Sequence, residues 1–252
     1  MKADLLFQKI EAIIPLHLAL DGDPVGYIGT IPPDQLEVNN ILVVMDYLPG
    51  SQPGAIEYRQ YDLIVLHHPP ITPPPIPAYV IHSNWDLMKG GACDALADCL
   101  NIEISDTLDP VSGLGRIGTV RNGPIPLVRF ARYVMKSLMI EYLKVVNYSS
   151  DRLITRVGMV SGFGLNPELI GTAMGRDLDL FISGDLTHPG AIRAINTPLI
   201  LMDASHHATE LPGLTRLGEI LSTLGVMVKV IDTGVPVGVY TDYYRPISYR
   251  GN

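Results

Sequence analysis

Residues 61–70 read YDLIVLHHPP, and residues 156–185 read RVGMVSGFGLNPELIGTAMGRDLDLFISGD. In the first stretch an unbroken apolar run, Leu63–Leu66, follows Asp62 and stops at two histidines and two prolines. A short apolar run without alternation, closed by prolines, is the pattern of a strand covered on both faces, as in parallel sheets. Upstream, Ile41–Met45 (ILVVM) has the same character, and the spacer before Leu63 is long enough for a crossover of helical size. The second stretch repeats that order, with Val157–Val160, a spacer, then Asp179 and Leu180–Ser183. Asp62-Leu63 and Asp179-Leu180 therefore hold the same place. This points to a duplicated α/β unit, with chance as the alternative for so short a match.

Working outward, Leu199–Asp203 and Met227–Ile231 are further strand candidates. Apolar spacing near 3 and 4 predicts helices over Leu5–Ile14, Leu87–Leu100, Leu127–Leu143, Pro167–Met174 and Leu211–Leu224; in the last, Leu214, Leu217, Leu221 and Leu224 form one face. Strands alternating with helices indicate an α/β protein. Gly113, Gly115, Gly118 and Gly123, between Ser105 and Pro126, read as a junction. That gives a first α/β unit over residues 1–120 and a second over 121–252, whose C-terminal part packs back on the first. The run Pro69–Pro77 (PPITPPPIP) suits neither helix nor central strand. It reads as a stiff loop of polyproline type, with a partner-binding motif as the alternative.

The 252 residues are 47% hydrophobic and 17% charged, a globular composition rather than a disordered one. Eighteen Lys and Arg against 26 Asp and Glu give a net charge of −8, which argues against a surface that tracks nucleic-acid phosphates. No apolar run approaches the length of a membrane span. The opening MKADLLFQKIEAII carries Asp4, Lys9 and Glu11, so it reads as an amphipathic helix and not as a signal peptide. Two cysteines, Cys93 and Cys99, exclude a disulfide framework and disfavour a thiolate zinc site. The expectation is an acidic, soluble protein of the cytoplasm.

Of the seven histidines, six fall where the chain leaves an expected strand or starts a helix. His67 and His68 close a strand. Adjacent strand residues point to opposite faces, but Pro69 ends the ladder, so both rings can turn to one site or each to its own ion. The alternative is one buried, hydrogen-bonded ring and one exposed ring. His82 and Asp86 are spaced i, i+4, as are His206 and Glu210, which on a helix places each imidazole and carboxylate on one face. Capping competes in both places, by Ser83 or Asn84 with Asp86 in the first turn, and by Ser205 or Thr209 with Glu210 favouring the helix dipole. Pro212 implies a late start to that second helix. Asp185 either joins His188 at a site or caps the helix beginning near Pro189, capping being the preferred role. Together, three His/carboxylate clusters at strand-to-helix junctions point to the carboxyl ends of the strands, where α/β proteins bind ligands. Five or six ligands without a thiolate suit two divalent ions.

The succession LVVMD, YDLIVLHHPP, HSNWD, GLGRIG, SGDLTH and DASHHATE, running from about residue 10 to 231, resembles the Nif-three-like family, the GTP cyclohydrolase 1 type 2 homologues. The resemblance implies two similar, interlinked α/β units with a dinuclear metal site in the cleft between them, assembled as a ring-shaped homohexamer in the cytoplasm. It implies His67, His68, Asp86, His206 and Glu210 as ligands of two divalent ions (Fe, Zn, Mn or Ni), with Glu210 bridging. Asp46, His82, Asp185 and His188 would lie behind the ligands or toward substrate, His82 and His188 being candidates for acid/base work. The implied activity is metal-dependent hydrolysis of a nucleotide-like substrate, in its named version attack at C8 of guanine. No P-loop is present, and no motif reads guanine. The alternative is a non-enzymatic metal-binding or protein-interaction scaffold. Three departures bear on substrate more than on metal. The family's Trp-Asp-Asn-x-Gly appears as Asp21-Gly22-Asp23-Pro24-Val25-Gly26, its Gly before the final His is Ser205, and the stretch from His68 to His82 is short and proline-filled.

Overall fold

Helices and strands alternate along the computed structural model, which describes residues 1–49, 56–235 and 237. The chain begins with α1 (Ala3–Ile13), β1 (Gly26–Ile28), β2 (Asn40–Val44), β3 (Leu63–Leu66), β4 (Ala78–Val80), α2 (Ser83–Leu87) and α3 (Ala92–Cys99). There follow β5 (Ile102–Thr107), β6 (Arg116–Val120), β7 (Ile125–Pro126), α4 (Leu127–Ser137), β8 (Lys144–Val146), β9 (Leu153–Ile154) and β10 (Arg156–Phe163). The remainder is α5 (Pro167–Met174), β11 (Leu180–Gly184), α6 (His188–Ala194), β12 (Ile200–Asp203), α7 (His206–Ser222) and β13 (Met227–Val230). The described residues form two compact units, those of 1–85 together with those from 214 onward, and residues 86–213.

In the first unit the strand order is β1-β4-β3-β2-β13, parallel from β4 to β13, with β1 antiparallel at the edge. Leu63–Leu66 is β3 residue for residue, and all four side chains are buried. One face of the sheet carries Leu42, Val44, Ile64, Leu66, Ala78 and Val80, packed with Tyr58 and Tyr61. On α1, Leu6, Phe7 and Ile10 are the buried stripe, and Phe7 stacks on Tyr79 of β4 at 4.6 Å between ring centroids. The Tyr79 hydroxyl donates to Glu11 at 2.8 Å, so a polar tip is satisfied inside an apolar contact.

In the second unit the order is β5-β6-β10-β11-β12-β8, with β10, β11 and β12 parallel and β6 and β8 antiparallel beside them. Successive residues serve opposite faces. Leu180, Ile182, Ile200 and Met202 pack with α3 and α4, whereas Phe181 and Leu201 pack with α5 and α6. Covering on both faces is why these strands read as continuous apolar runs.

Several expected boundaries move. The helix expected over Leu87–Leu100 is only α3, Ala92–Cys99; Leu87 ends α2, Gly90 adopts φ +84° and Gly91 opens α3. The carbonyl that ends α2 and the one after it are taken by the buried Arg116, whose Nη2 donates to Leu87 O at 3.1 Å and Met88 O at 2.9 Å. α4 stops at Ser137, well short of Leu143, and Met139 turns left-handed at φ +54°. α7 begins at His206 and continues through Pro212, whose missing N–H does not delay the start. The glycine-rich stretch Ser105–Pro126, read as a junction near residue 120, lies inside the second unit, where β5 and β6 pair. A β-carbon at Gly118 would overlap the Glu103 carbonyl, so that glycine permits close strand approach. The proline-rich residues 69–77 form neither helix nor strand. No helix among the described residues is long and apolar enough to cross a membrane.

Candidate metal centre

The first cluster grows from the end of β3. The ladder continues past the strand, with His67 N donating to Val44 O at 3.1 Å and His68 N to Met45 O at 3.0 Å. Beyond it the two rings turn to the same side, their centroids 4.8 Å apart. The His82 ring completes a trio, 5.3 Å from His67 and 5.5 Å from His68. One potential ligand atom of each ring lies within 4.8 Å of the others.

Each ring is held at Nδ1. His67 Nδ1 lies 2.9 Å from Ile81 O, His68 Nδ1 2.9 Å from Asp46 Oδ1, and His82 Nδ1 2.8 Å from Asp23 Oδ1. A carbonyl or carboxylate oxygen only accepts, so each Nδ1 carries the hydrogen, and the neutral ring keeps its lone pair at Nε2. An imidazole anchored this way is the usual state of a metal ligand. Asp23 also accepts from Ser83 N at 3.0 Å and from the Ser83 hydroxyl. Burial pushes the Asp23 carboxyl up, but the Ser83 and His82 hydrogen bonds outweigh it and hold the group below the usual carboxylate range. Burial, chiefly, pushes His82 below its usual range.

The second cluster opens α7. His206 is its first residue and Glu210 lies one turn on, with Nε2 and Oε1 2.9 Å apart, so the i, i+4 spacing does put both on one face. On the other side of the ring Nδ1 lies 2.6 Å from Asp185 Oδ2. Burial alone would lower the His206 pKa; Glu210 and Asp185 together outweigh it and push it up to about 9. The same concentration of negative charge favours a cation beside the ring. Gly162, at φ +76°, makes room for the carboxylate, since a β-carbon there would overlap Glu210 Oε1 and lie 3.2 Å from His206 Nε2. Gly162 N donates to Thr209 Oγ1 at 3.0 Å, tying that close approach to the helix.

The other expected residues fall as follows. Asp86, 8% exposed, lies in the first turn of α2, and Asn84 reaches back to accept from His82 N at 3.0 Å, as the capping alternative expects. Asp86 is not a member of the imidazole trio. Asp46 and Asp185 stand behind His68 and His206. Asp185 is not a helix cap, because Thr187 Oγ1 caps α6 by accepting from Gly190 N at 3.1 Å. At α7 the near-cap is Ser205, whose hydroxyl accepts from Ala208 N at 3.4 Å. His188 is exposed at the start of α6. Sequence reasoning gave no role to Asp23, Gly162 or Asp203. The first and last act on residues far along the chain or on backbone amides, and a space-making glycine leaves no spacing signal.

The donor set consists of imidazole nitrogens and carboxylate oxygens with no thiolate, and it fits borderline divalent ions such as Zn, Fe, Mn or Ni. Fold and site define a class, two-unit α/β proteins whose strand ends carry imidazoles braced by oxygen acceptors. A family model described as Duf34/NIF3 (NGG1p interacting factor 3) matches residues 1–76 and 74–235. The chain belongs to the DUF34/NIF3 family. A protein of Methanothermobacter thermautotrophicus named GTP cyclohydrolase 1 type 2 homolog is 42% identical over 245 residues, covering 97% of this chain and 98% of that one. One of the same name from Methanocaldococcus jannaschii is 30% identical, over 88% of this chain and 96% of that one. Among solved structures, reduced HcgD from Methanocaldococcus jannaschii superposes with a TM-score of 0.75 at 27% identity, over 91% of this chain and 97% of that one.

Proposed function

We propose that this chain is a divalent-metal protein in which His67, His68, Asp86, His206 and Glu210 would hold two ions, and that the centre hydrolyses a nucleotide-like substrate. The observation that carries the reading is the bracing of the imidazoles at Nδ1. His67, His68 and His206 each have Nδ1 committed to an oxygen acceptor, which fixes the ring so that a cation would be met at Nε2, and at His206 that nitrogen faces the Glu210 carboxylate. The chemistry supplied by such ions when bound is Lewis acidity and an acidified water.

The chain's own contribution is orientation and proton handling. Asp46 and Asp185 fix the tautomers of His68 and His206. His82, held at Nδ1 by Asp23, presents Nε2 as a site to take or release a proton. His188, exposed on α6, is the second candidate for that role. The family resemblance extends the proposal to a homohexamer in the cytoplasm, with an acidic surface unsuited to nucleic acid.

Elemental analysis of protein purified without chelator tests the centre, with about two divalent ions per chain expected. A value near zero after reconstitution with Zn, Mn and Fe rejects it. Turnover of a nucleotide panel that begins with GTP, at defined metal content, tests the activity. Full metal occupancy with no turnover leaves the non-enzymatic scaffold as the function.

A further inference from the structure

We infer that Asp203 is a positioning residue for the His206–Glu210 pair, locking together the two loops that carry Asp185 and His206 just beyond the end of the sheet. The inference rests on the metal-binding reading above.

Strands β11 and β12 pair as far as Ser183 opposite Asp203, and the last bond between them runs from Ala204 N to Ser183 O at 2.9 Å. Past that point the ladder ends. One chain turns through Asp185 toward α6, and the other turns through Ser205 into α7. Asp185 at φ +56° and Ser205 at φ +71° are both left-handed, a conformation that residues other than glycine keep only when their surroundings impose it.

The Asp203 carboxylate is what spans the two turns. It is 4% exposed. Its Oδ1 accepts from Ser205 N at 2.9 Å, and its Oδ2 accepts from Leu186 N at 3.2 Å. Those amides belong to the residue before His206 and the residue after Asp185. The Asp185–His206 bond at 2.6 Å then closes a ring through Asp203, Leu186, Asp185, His206 and Ser205. Spacing inside that ring is tight, since a β-carbon at Gly184 would overlap the His206 backbone. Lys144, opposite Asp203 in the antiparallel register of β8, donates to Oδ2 at 3.0 Å and compensates the buried charge.

Asp203 thus supplies no ligand atom yet sets where Asp185 meets His206 Nδ1, and through it where Nε2 stands relative to Glu210. A carboxylate with only a stabilising role would change the melting of metal-free protein and leave metal binding untouched. The test uses the full chain loaded with Co2+, read by chelator competition and by the Co2+ absorption spectrum, with metal-free melting measured alongside. In Asp203→Asn one acceptor becomes a donor facing either Leu186 N and Lys144 or Ser205 N. Co2+ affinity is expected to fall about 10–100-fold for at least one ion, with an altered spectrum. Lys144→Gln, on a side chain 61% exposed, is expected to weaken binding several-fold without threatening the fold. Wild-type affinity and spectrum in Asp203→Asn overturn the inference while the metal reading stands. If that variant does not fold, unchanged affinity in Lys144→Gln overturns it instead. A wild type that takes up no Co2+ overturns the metal reading itself, and the inference with it.

Discussion

Asp62 and Asp179 do the same work in two different sheets. Asp62 Oδ2 accepts from the backbone N–H groups of Asn39 at 2.9 Å and Asn40 at 3.0 Å, and Asp179 Oδ2 accepts from those of Thr155 and Arg156, both at 2.9 Å. Each aspartate also donates its own N–H to the first strand, Asp62 to Asn40 O and Asp179 to Arg156 O. In both places the next residue opens the second strand of a parallel pair, Leu63 opposite Ile41 and Leu180 opposite Val157. The duplication read from the pattern is therefore repeated at the level of individual hydrogen bonds. Asp62→Ala and Asp179→Ala should each cost about 1–2 kcal/mol, because two amides at a half-exposed strand start lose a charged acceptor to water. Urea melts read this directly, and wild-type midpoints in both variants would remove the aspartates from any role in starting the strands.

Legibility in the sequence followed burial. Leu63–Leu66 and Leu180–Ser183 were readable because both faces of their strands are covered. β5 and β6 were not, since Glu103, Ser105 and Asp106 break the apolar pattern on an edge strand and Gly115 and Gly118 looked like linker glycines. Strands β1, β4 and β8 are three residues each, too short to show a period. At the site, His206 and Glu210 were visible because a helix makes i and i+4 neighbours. The residues that brace the rings of the two clusters were not. His82 and Asp23 are 59 positions apart, as are Lys144 and Asp203. From its neighbours alone Asp185 looked like a cap, because nothing local announces a left-handed aspartate whose side chain turns to another loop; only the resemblance placed it behind the ligands, and it does hold His206.

Gly162→Ala should disturb the second cluster from behind. Gly162 is left-handed, at φ +76°, and a β-carbon there would overlap Glu210 Oε1. Gly22 is a built-in control, with φ +82° and nothing within 4 Å of an added β-carbon. Gly22→Ala should cost about 1 kcal/mol, the conformational penalty alone. Gly162→Ala should cost roughly 2–4 kcal/mol and lower metal content, since overlap adds to strain. Equal melting of the two variants would show that Glu210 needs no space there.

Arg116 should be among the costliest single positions in the second unit. Its guanidinium pairs with Asp94 and donates to the carbonyls of Leu87, Met88, Gly113 and Gly115, with the side chain 6% exposed. Arg116→Met leaves Asp94 without its cation and the end of α2 without its donors, at a cost of about 3–5 kcal/mol. Arg116→Lys should recover only part of this, because an ammonium cannot present the planar fork. A loss below 1 kcal/mol for Arg116→Met in chemical denaturation would contradict the account.

The two thiols should behave differently in the native protein. Burial, first, and then the nearby Asp86 carboxylate push the Cys93 thiol up to about 12 from its ordinary 9.0; Cys99, half-buried, is raised by burial alone. At pH 8 an alkylating reagent should modify Cys99 slowly and leave Cys93 untouched, whereas both react in denaturant. The linkage has a definite sign. Cys93 has a folded value above its unfolded one, so its contribution to stability is intact below pH 9 and is lost as pH rises toward 12. Peptide mapping by mass spectrometry reads the labelling, and equal native rates at the two cysteines would refute the burial argument.

Glu210→Gln separates a bridging ligand from a helix-end charge. Glu210 is 4% exposed, with Oε1 2.9 Å from His206 Nε2. If it bridges two cations, the substitution removes negative charge where two positive ions repel, and a neutral amide cannot offer two anionic oxygens. Metal content should then fall from about two toward one or none. The apolar layers that hold the sheet, Leu180, Ile182, Ile200 and Met202 among them, are untouched, so secondary structure should persist. If Glu210 only favours the start of α7, the loss is roughly 0.3–1 kcal/mol and metal content does not change. Bound metal and thermal melting measured on one preparation decide between the two. Full occupancy in the variant would take Glu210 out of the centre.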